Sequence, residues 1–203
     1  MPVPAPHKRS HLLSVIEKLL VRSQANEALT VEEIYAEFGS DNHMALIAFL
    51  CLPFFQPIPL PGLSVIFGIL IFIICLFIAL GREPHLPKAL KYRKIGSSAM
   101  MSVLNYANRH WPQVQRVVRP RHRIWIYQRG ILHLHLSLIA FAALLLALPL
   151  PVPATNSTPA LVIFLNCLGQ IEEDGLLIAL SYLMMALVIL FFLGLAYSAR
   201  HFF

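Results

Sequence analysis

The sequence predicts an all-α fold, a polytopic α-helical membrane protein with two repeated Pro-broken hairpins or re-entrant segments and short amphipathic surface helices. Three observations predict it. Apolar residues make up 58% of the 203-residue chain and charged residues 13%, with a mean hydropathy of +0.69, outside the range of soluble proteins. Five apolar stretches, 44 to 56, 62 to 80, 131 to 148, 160 to 170 and 176 to 196, follow a polar N-terminal segment. Six of the 15 prolines fall in two matched clusters within those stretches, where helices do not tolerate them.

The order of segments is an N-terminal pair of cytoplasmic helices (1 to 43), a first membrane repeat (44 to 80), a basic loop (81 to 130), and a second repeat with a final span (131 to 203). Within the first, Ile16, Leu19 and Leu20 join Leu12 on one stripe, with Glu17, Lys18 and Arg22 turned away. A second helix opens on Thr30 as N-cap, with Glu33 closing a capping box, Leu29 and Ile34 as a hydrophobic staple, and Gly39 as the stop. Such a pair lies on the membrane or on the basic loop.

Net charge is +6, but its distribution excludes nucleic acid as the partner. Lys and Arg number four in residues 1 to 44, eleven in 82 to 130, none in 131 to 199 and one at Arg200. The middle segment carries one acid, Glu83. Short basic loops beside apolar spans mark the cytoplasmic side, because cationic loops resist translocation and are drawn to anionic lipid head groups. Within it, Met100, Val103, Leu104, Ala107 and Trp111 form an apolar stripe that predicts an interfacial helix ending at Pro112. Arg119 and Arg121 then lead into Trp125 and Tyr127, an aromatic anchor before the next span.

At 1.5 Å per residue the second, third and fifth stretches reach about 27 to 31 Å, enough for a hydrocarbon core, whereas the first and fourth reach only about 16 to 20 Å. The two short ones read as half-helices. LIAFLCLPFFQPIPLPG from Leu46 and LIAFAALLLALPLPVPA from Leu138 share an offset of 92, with Pro57, Pro59 and Pro61 in phase with Pro149, Pro151 and Pro153. Gly62 closes the first cluster. Alternating prolines cannot remain helical, so each half is a helix, an extended corner and a helix. Two arrangements follow: hairpins that turn at the far surface, or broken helices whose freed backbone groups meet at depth. The repeats are parallel if 44 to 80 goes in and out, and inverted if it crosses once.

Asn156, Ser157 or Thr158 is placed to cap the half-helix beginning near Pro159. Beyond it, Glu172, Glu173 and Asp174 are the only acids after Glu83. Burying three ionised carboxylates in a bilayer costs roughly 8 to 10 kcal/mol, so they emerge at the surface or enter a wet cavity, as an acidic site or as a turn through Asp174 and Gly175. Phosphate-loop, nucleophile-elbow and zinc motifs are missing from the sequence. His133 and His135 point to different sides of one helix, so no metal site is expected, and no cofactor. Cys51, Cys75 and Cys167 lie in apolar runs as small hydrophobes, without a disulfide. The basic N-terminus has no continuous apolar run after it, and no cleavable signal peptide is expected.

LPFFQPIPLPGLSVIFGILI from Leu52, GREPHLP from Gly81, the Arg119–Arg121 pair and LPLPVPATNSTPALVIFLNCLGQIEEDG from Leu148 together resemble the ExoD-type exopolysaccharide-synthesis membrane proteins, over nearly the whole chain. That family's Asn, Pro-Ala and Gly-x-x-Glu-x-Asp-Gly fall here on Asn156, Pro159 with Ala160, and Gly169, Glu172, Asp174 and Gly175. Glu173 departs from the basic residue often found there, and His85 from an aromatic. The resemblance implies association with exopolysaccharide production in the bacterial inner membrane. With the broken helices and the basic-loop arginines it leads to the expectation of a multi-pass factor for synthesis or export, without enzymatic activity and transporter-like toward an anionic or lipid-linked sugar. Expected partners are the lipid bilayer and anionic head groups, lipid-linked sugar or other polysaccharide-assembly proteins, and a second copy of the chain in a homo-oligomer. The alternatives are an enzyme acting on a lipid-linked saccharide through Glu172 or Asp174, and a membrane scaffold.

Overall fold

The structure is a computed structural model and describes residues 11–24, 29–38, 43–55, 62–84, 91–92, 94–95, 97–118, 129–148 and 155–202. Among these it is all-helical apart from one two-residue ladder. The helices are α1 (His11–Gln24), α2 (Val31–Phe38), α3 (His43–Cys51), α4 (Leu63–Ala79), α5 (Ser97–Val117), α6 (Arg129–Ala147), α7 (Ser157–Ile171) and α8 (Gly175–Phe202). The six clustered prolines, Pro57, Pro59, Pro61, Pro149, Pro151 and Pro153, lie outside the described residues, as do Gly39, His85, Arg119, Arg121, Trp125 and Tyr127.

The N-terminal unit forms as its capping signals dictate. The Thr30 backbone N–H donates to Glu33 Oε2 at 2.7 Å, the Thr30 hydroxyl donates to the same oxygen at 2.8 Å, and the Glu33 N–H donates to Thr30 Oγ1 at 3.3 Å. These reciprocal bonds satisfy donors that open the first turn of α2. They hold the Glu33 carboxyl below its ordinary range, the Thr30 N–H first among them. Arg22 spans from α1 to Glu33 and Glu37, both at 3.3 Å.

This unit rests on the basic segment. Leu29 and Thr30 (β1) pair antiparallel with Ile95 and Lys94 (β2), Lys91 meets Glu32 at 2.7 Å, and α1 packs along α5. Ile16 and Leu19 of α1 and Val103, Leu104 and Ala107 of α5 are buried, while Glu17, Lys18, Asn105, Asn108 and Arg109 are exposed. Val103, Leu104 and Ala107 of the α5 stripe are therefore covered by protein. The expected stop at Pro112 does not occur: α5 runs on to Val117. Proline removes the bond to the carbonyl of Asn108, and because Asn108 is exposed that carbonyl can be hydrated instead, which lowers the penalty.

Tyr35 of α2 ties this unit to the first apolar hairpin. Its ring stacks on His43, the first residue of α3, with centroids 6.3 Å apart, and its hydroxyl donates to the Pro84 carbonyl beyond α4 at 3.3 Å. Burial raises the Tyr35 pKa and the nearby Glu83 carboxylate raises it further, so the phenol keeps the proton it donates. After α3 the chain tightens into a 3-10 turn, Leu52–Phe55, where Pro53 interrupts the α-helical ladder.

The apolar helices pack reciprocally. α3 lies on α7, α4 lies on α6, and α7 also contacts α6 and α8. Gly68 allows the α4–α6 approach, since a Cβ there would stand 2.7 Å from the Ala143 carbonyl oxygen and 2.8 Å from the Ala147 nitrogen. Cys51, Cys75 and Cys167 are buried free thiols on α3, α4 and α7. Among the described residues two helices are long and apolar enough to cross a membrane, through Gly130–Ala147 and Gly175–Gly194. α4, with 17 residues, is shorter than the span expected for it, and α7, with 15, is longer than the half-helix expected.

Thr30→Ala should loosen α2 by about 1 kcal/mol, read as faster backbone hydrogen exchange over residues 29 to 38. Glu33 stabilises most above its unfolded pKa, near 4.5, and that stability is lost as pH falls through its lowered folded value. Glu33→Gln should flatten this acid dependence.

Candidate functional site

The hairpin of α7 and α8 gathers most of the polar groups that the apolar half contains. α7 is almost wholly enclosed, with Pro159, Ala160, Ile163, Asn166, Cys167 and Gly169 all buried. Its polar side chains must find partners inside the protein. The Asn166 amide Nδ2 donates to Ser181 Oγ at 2.8 Å, Ser181 Oγ donates to the Ile178 carbonyl at 2.6 Å, and Gln170 Nε2 donates to Asn166 Oδ1 at 2.7 Å. Asn166 and Ser181 are fully buried. Close by on α8, Tyr182 shares a hydrogen bond of 2.9 Å with Nδ1 of the buried His135 on α6. His133 is exposed on the other side of α6, the divergence expected from its spacing.

The acidic run forms the turn between α7 and α8. Glu172 closes α7 as its C-cap, with its N–H bonded to the Leu168 carbonyl at 3.0 Å. Glu173 follows in the left-handed region at φ 55°, and the Asp174 N–H donates back to the Gly169 carbonyl at 2.8 Å. This is the Schellman helix stop, with a glutamate where glycine is usual. Asp174 is buried, at 1% exposure, and its Oδ1 accepts the Leu176 N–H at 3.0 Å, so it caps α8. Gly175 is the first residue of α8. Gly169 sits where a Cβ would be 3.0 Å from the Asp174 carbonyl oxygen and 2.7 Å from Ile178 Cγ1. Gly169, Glu172, Glu173 and Asp174 thus each have a structural task in bringing two helices together or reversing the chain.

Asn156 lies at the other end of α7. It occupies the N-cap position but makes no capping bond from its side chain, and its Oδ1 is buried without a hydrogen bond. Pro159 is buried in the first turn of the helix, where a missing N–H is tolerated. About 22 Å of helix, 15 residues at 1.5 Å each, separates Asn156 from Glu172 and Asp174, so they do not form one site. Asn166, Gln170, Ser181 and Tyr182 were not singled out from the sequence, and His135 only as one of two histidines on different sides of a helix. The available signal was two amide side chains four residues apart, at 166 and 170, within an otherwise apolar stretch.

These features define an all-helical protein with interhelical polar pairs inside and apolar surfaces outside, two of its helices being long enough to span a bilayer. The chain belongs to the ExoD family: it matches the family described as "Exopolysaccharide synthesis, ExoD" over residues 12–194. It is similar to "Protein ExoD" of Rhizobium meliloti (strain 1021), 32% identical over 193 residues, covering 89% of this chain and 75% of that protein. It is also similar to "Uncharacterized protein slr1875" of Synechocystis sp., 28% identical over 158 residues, covering 73% of this chain and 74% of that one. No solved structure matches.

Removing the cap with Asp174→Ala should cost about 1 kcal/mol, whereas Asp174→Ser, which retains a capping oxygen, should cost a few tenths. Glu173→Gly should gain up to about 1 kcal/mol by relieving the left-handed residue. Thermal unfolding of the purified protein in detergent measures all three.

Proposed function

We propose that this protein is a multi-pass inner-membrane factor for the synthesis or export of surface polysaccharide, working without covalent chemistry of its own. Exopolysaccharide synthesis is the role by which its family is described. The observation that carries the membrane reading is the direction of its side chains. On α8, Leu176, Leu180, Leu183, Leu187 and Leu190 are 40 to 64% exposed, and α6 and α4 add Leu134, Phe141, Leu144, Ile69 and Leu76. A surface of this extent suits acyl chains and is a poor match to water. Beneath it, Asn166, Ser181 and His135 are turned inward and hydrogen-bonded, as helices in lipid require.

Two further observations support the finer reading. The reciprocal packing of α3 on α7 and α4 on α6, each the first helix of one half against the second of the other, supports a duplicated hairpin built on the proline clusters. The basic segment 81 to 130, with Arg119 and Arg121, is the natural contact for anionic head groups or a phosphate-bearing, lipid-linked sugar on the cytoplasmic side. Employment of Asp174 as a buried helix cap weighs against the acid or base role of the enzyme alternative.

Complementation of a deletion strain tests this. Asp174→Asn and Glu172→Gln should keep polysaccharide output, normalised to protein level, within about twofold. A loss of several hundredfold with the protein still present in the membrane would establish acid–base catalysis, the scale such groups contribute, and would overturn the proposal. Arg119→Ala with Arg121→Ala should weaken binding to anionic vesicles in a salt-dependent way.

A further inference from the structure

Contacts along the bundle fix which helix ends share a level. Tyr35 touches both His43, which opens α3, and the Pro84 carbonyl, which follows α4, so the first hairpin begins and ends at the face that carries the N-terminal unit. α3 lies along α7, and the ring of Phe55, just beyond the end of α3, is 5.3 Å from that of Phe164 at the middle of α7, a placement that fits an antiparallel pair. Continuing that register by equal steps brings His43 level with the turn at Asp174 and Gly175. α7 and α8 are antiparallel through Asn166 with Ser181 and Gly169 with Ile178. Gly68, near the start of α4, meets Ala143 and Ala147 at the end of α6, and the two helices pack along each other, so α6 starts level with the end of α4; the His135–Tyr182 bond, between the seventh residue of α6 and the eighth of α8, fits α8 starting there too.

The start of α3, the end of α4, the start of α6 and the α7–α8 turn therefore share one face. At 1.5 Å per residue, α6 descends about 28 Å from it, close to the roughly 30 Å of a hydrocarbon core. α8 leaves the same face and continues for 28 residues, about 42 Å. Nothing returns it.

Resting on the membrane reading proposed above, we infer that both hairpins open on the cytoplasmic face and that α8 alone carries the chain to the opposite side. The two repeats are then parallel, the Glu172–Asp174 turn faces the cytoplasm beside the basic segment, and the end of α8 is periplasmic. The charge pattern agrees, with eleven bases in 82 to 130 and none in 131 to 199.

The test is labelling with a membrane-impermeant maleimide in intact spheroplasts and after permeabilisation. Single substitutions Lys18→Cys, Glu173→Cys and Ser198→Cys are made in the otherwise unchanged chain, whose three native thiols are 0 to 1% exposed and serve as the blank. Ser198→Cys should label in intact spheroplasts, and Lys18→Cys and Glu173→Cys only after permeabilisation. Fusions of a periplasm-active phosphatase and a cytoplasm-active fluorescent protein after residue 203 give a second readout of the same end without altering a helix. If positions 18 and 198 label alike, or 173 labels with 198, the sidedness is overturned while the membrane reading stands. If alkaline carbonate strips the protein from membranes, the membrane reading itself fails and the sidedness falls with it.

Discussion

The close approach of α7 to α8 at Gly169 is the contact on which the rest of the bundle depends. Backbone meets backbone there, with the Asp174 carbonyl and the Ile178 side chain in the space a larger residue would occupy. Because the helices come so near, Asn166 reaches Ser181, and the chain reverses within three residues. α7 then presents its other sides to α3 and α6, so a 15-residue helix becomes the centre around which the other apolar helices are arranged. Small residues matter more at such contacts in lipid than in water. Acyl chains are as apolar as leucine, so helices associate by packing and hydrogen bonds and not by escape from solvent.

A different kind of adhesion holds the N-terminal unit. Its ties are the capping box at Thr30 and Glu33, the Arg22 pairs, the Lys91–Glu32 contact and one short ladder. Half-exposed ion pairs of this sort each contribute at most about 1 kcal/mol. The buried stripes of α1 and α5 supply the larger share. The balance makes this unit sensitive to salt and acid. Through Tyr35 it also fixes where the first hairpin begins and ends.

Much of the fold was legible in the sequence because hydrophobic periodicity and capping chemistry are local. The two N-terminal helices, the Thr30–Glu33 box and five apolar helices all follow from patterns within about twenty residues. Pro112 misled because a single proline's cost depends on whether the carbonyl it abandons can meet water, and exposure is a tertiary property. The acidic run was legible only as two alternatives. The turn itself rests on a bond from the Leu176 N–H to Asp174, which no charge count reveals. Asn166 and Ser181 escaped notice for a similar reason: they are 15 residues apart and their bond exists only once α7 has folded back on α8.

The central claim is that α7 lies antiparallel to α3 with its acidic end at the level of the N-terminal unit. Cross-linking in native membranes tests it most directly, with Ile47→Cys paired in turn with Ile171→Cys and with Ser157→Cys in a chain whose three native cysteines are alanine. With Phe55 beside Phe164, an antiparallel pair predicts rapid cross-linking of 47 to 171 by a short bifunctional reagent and little reaction of 47 with 157. Efficient linkage of 47 to 157 with none to 171 would contradict the account.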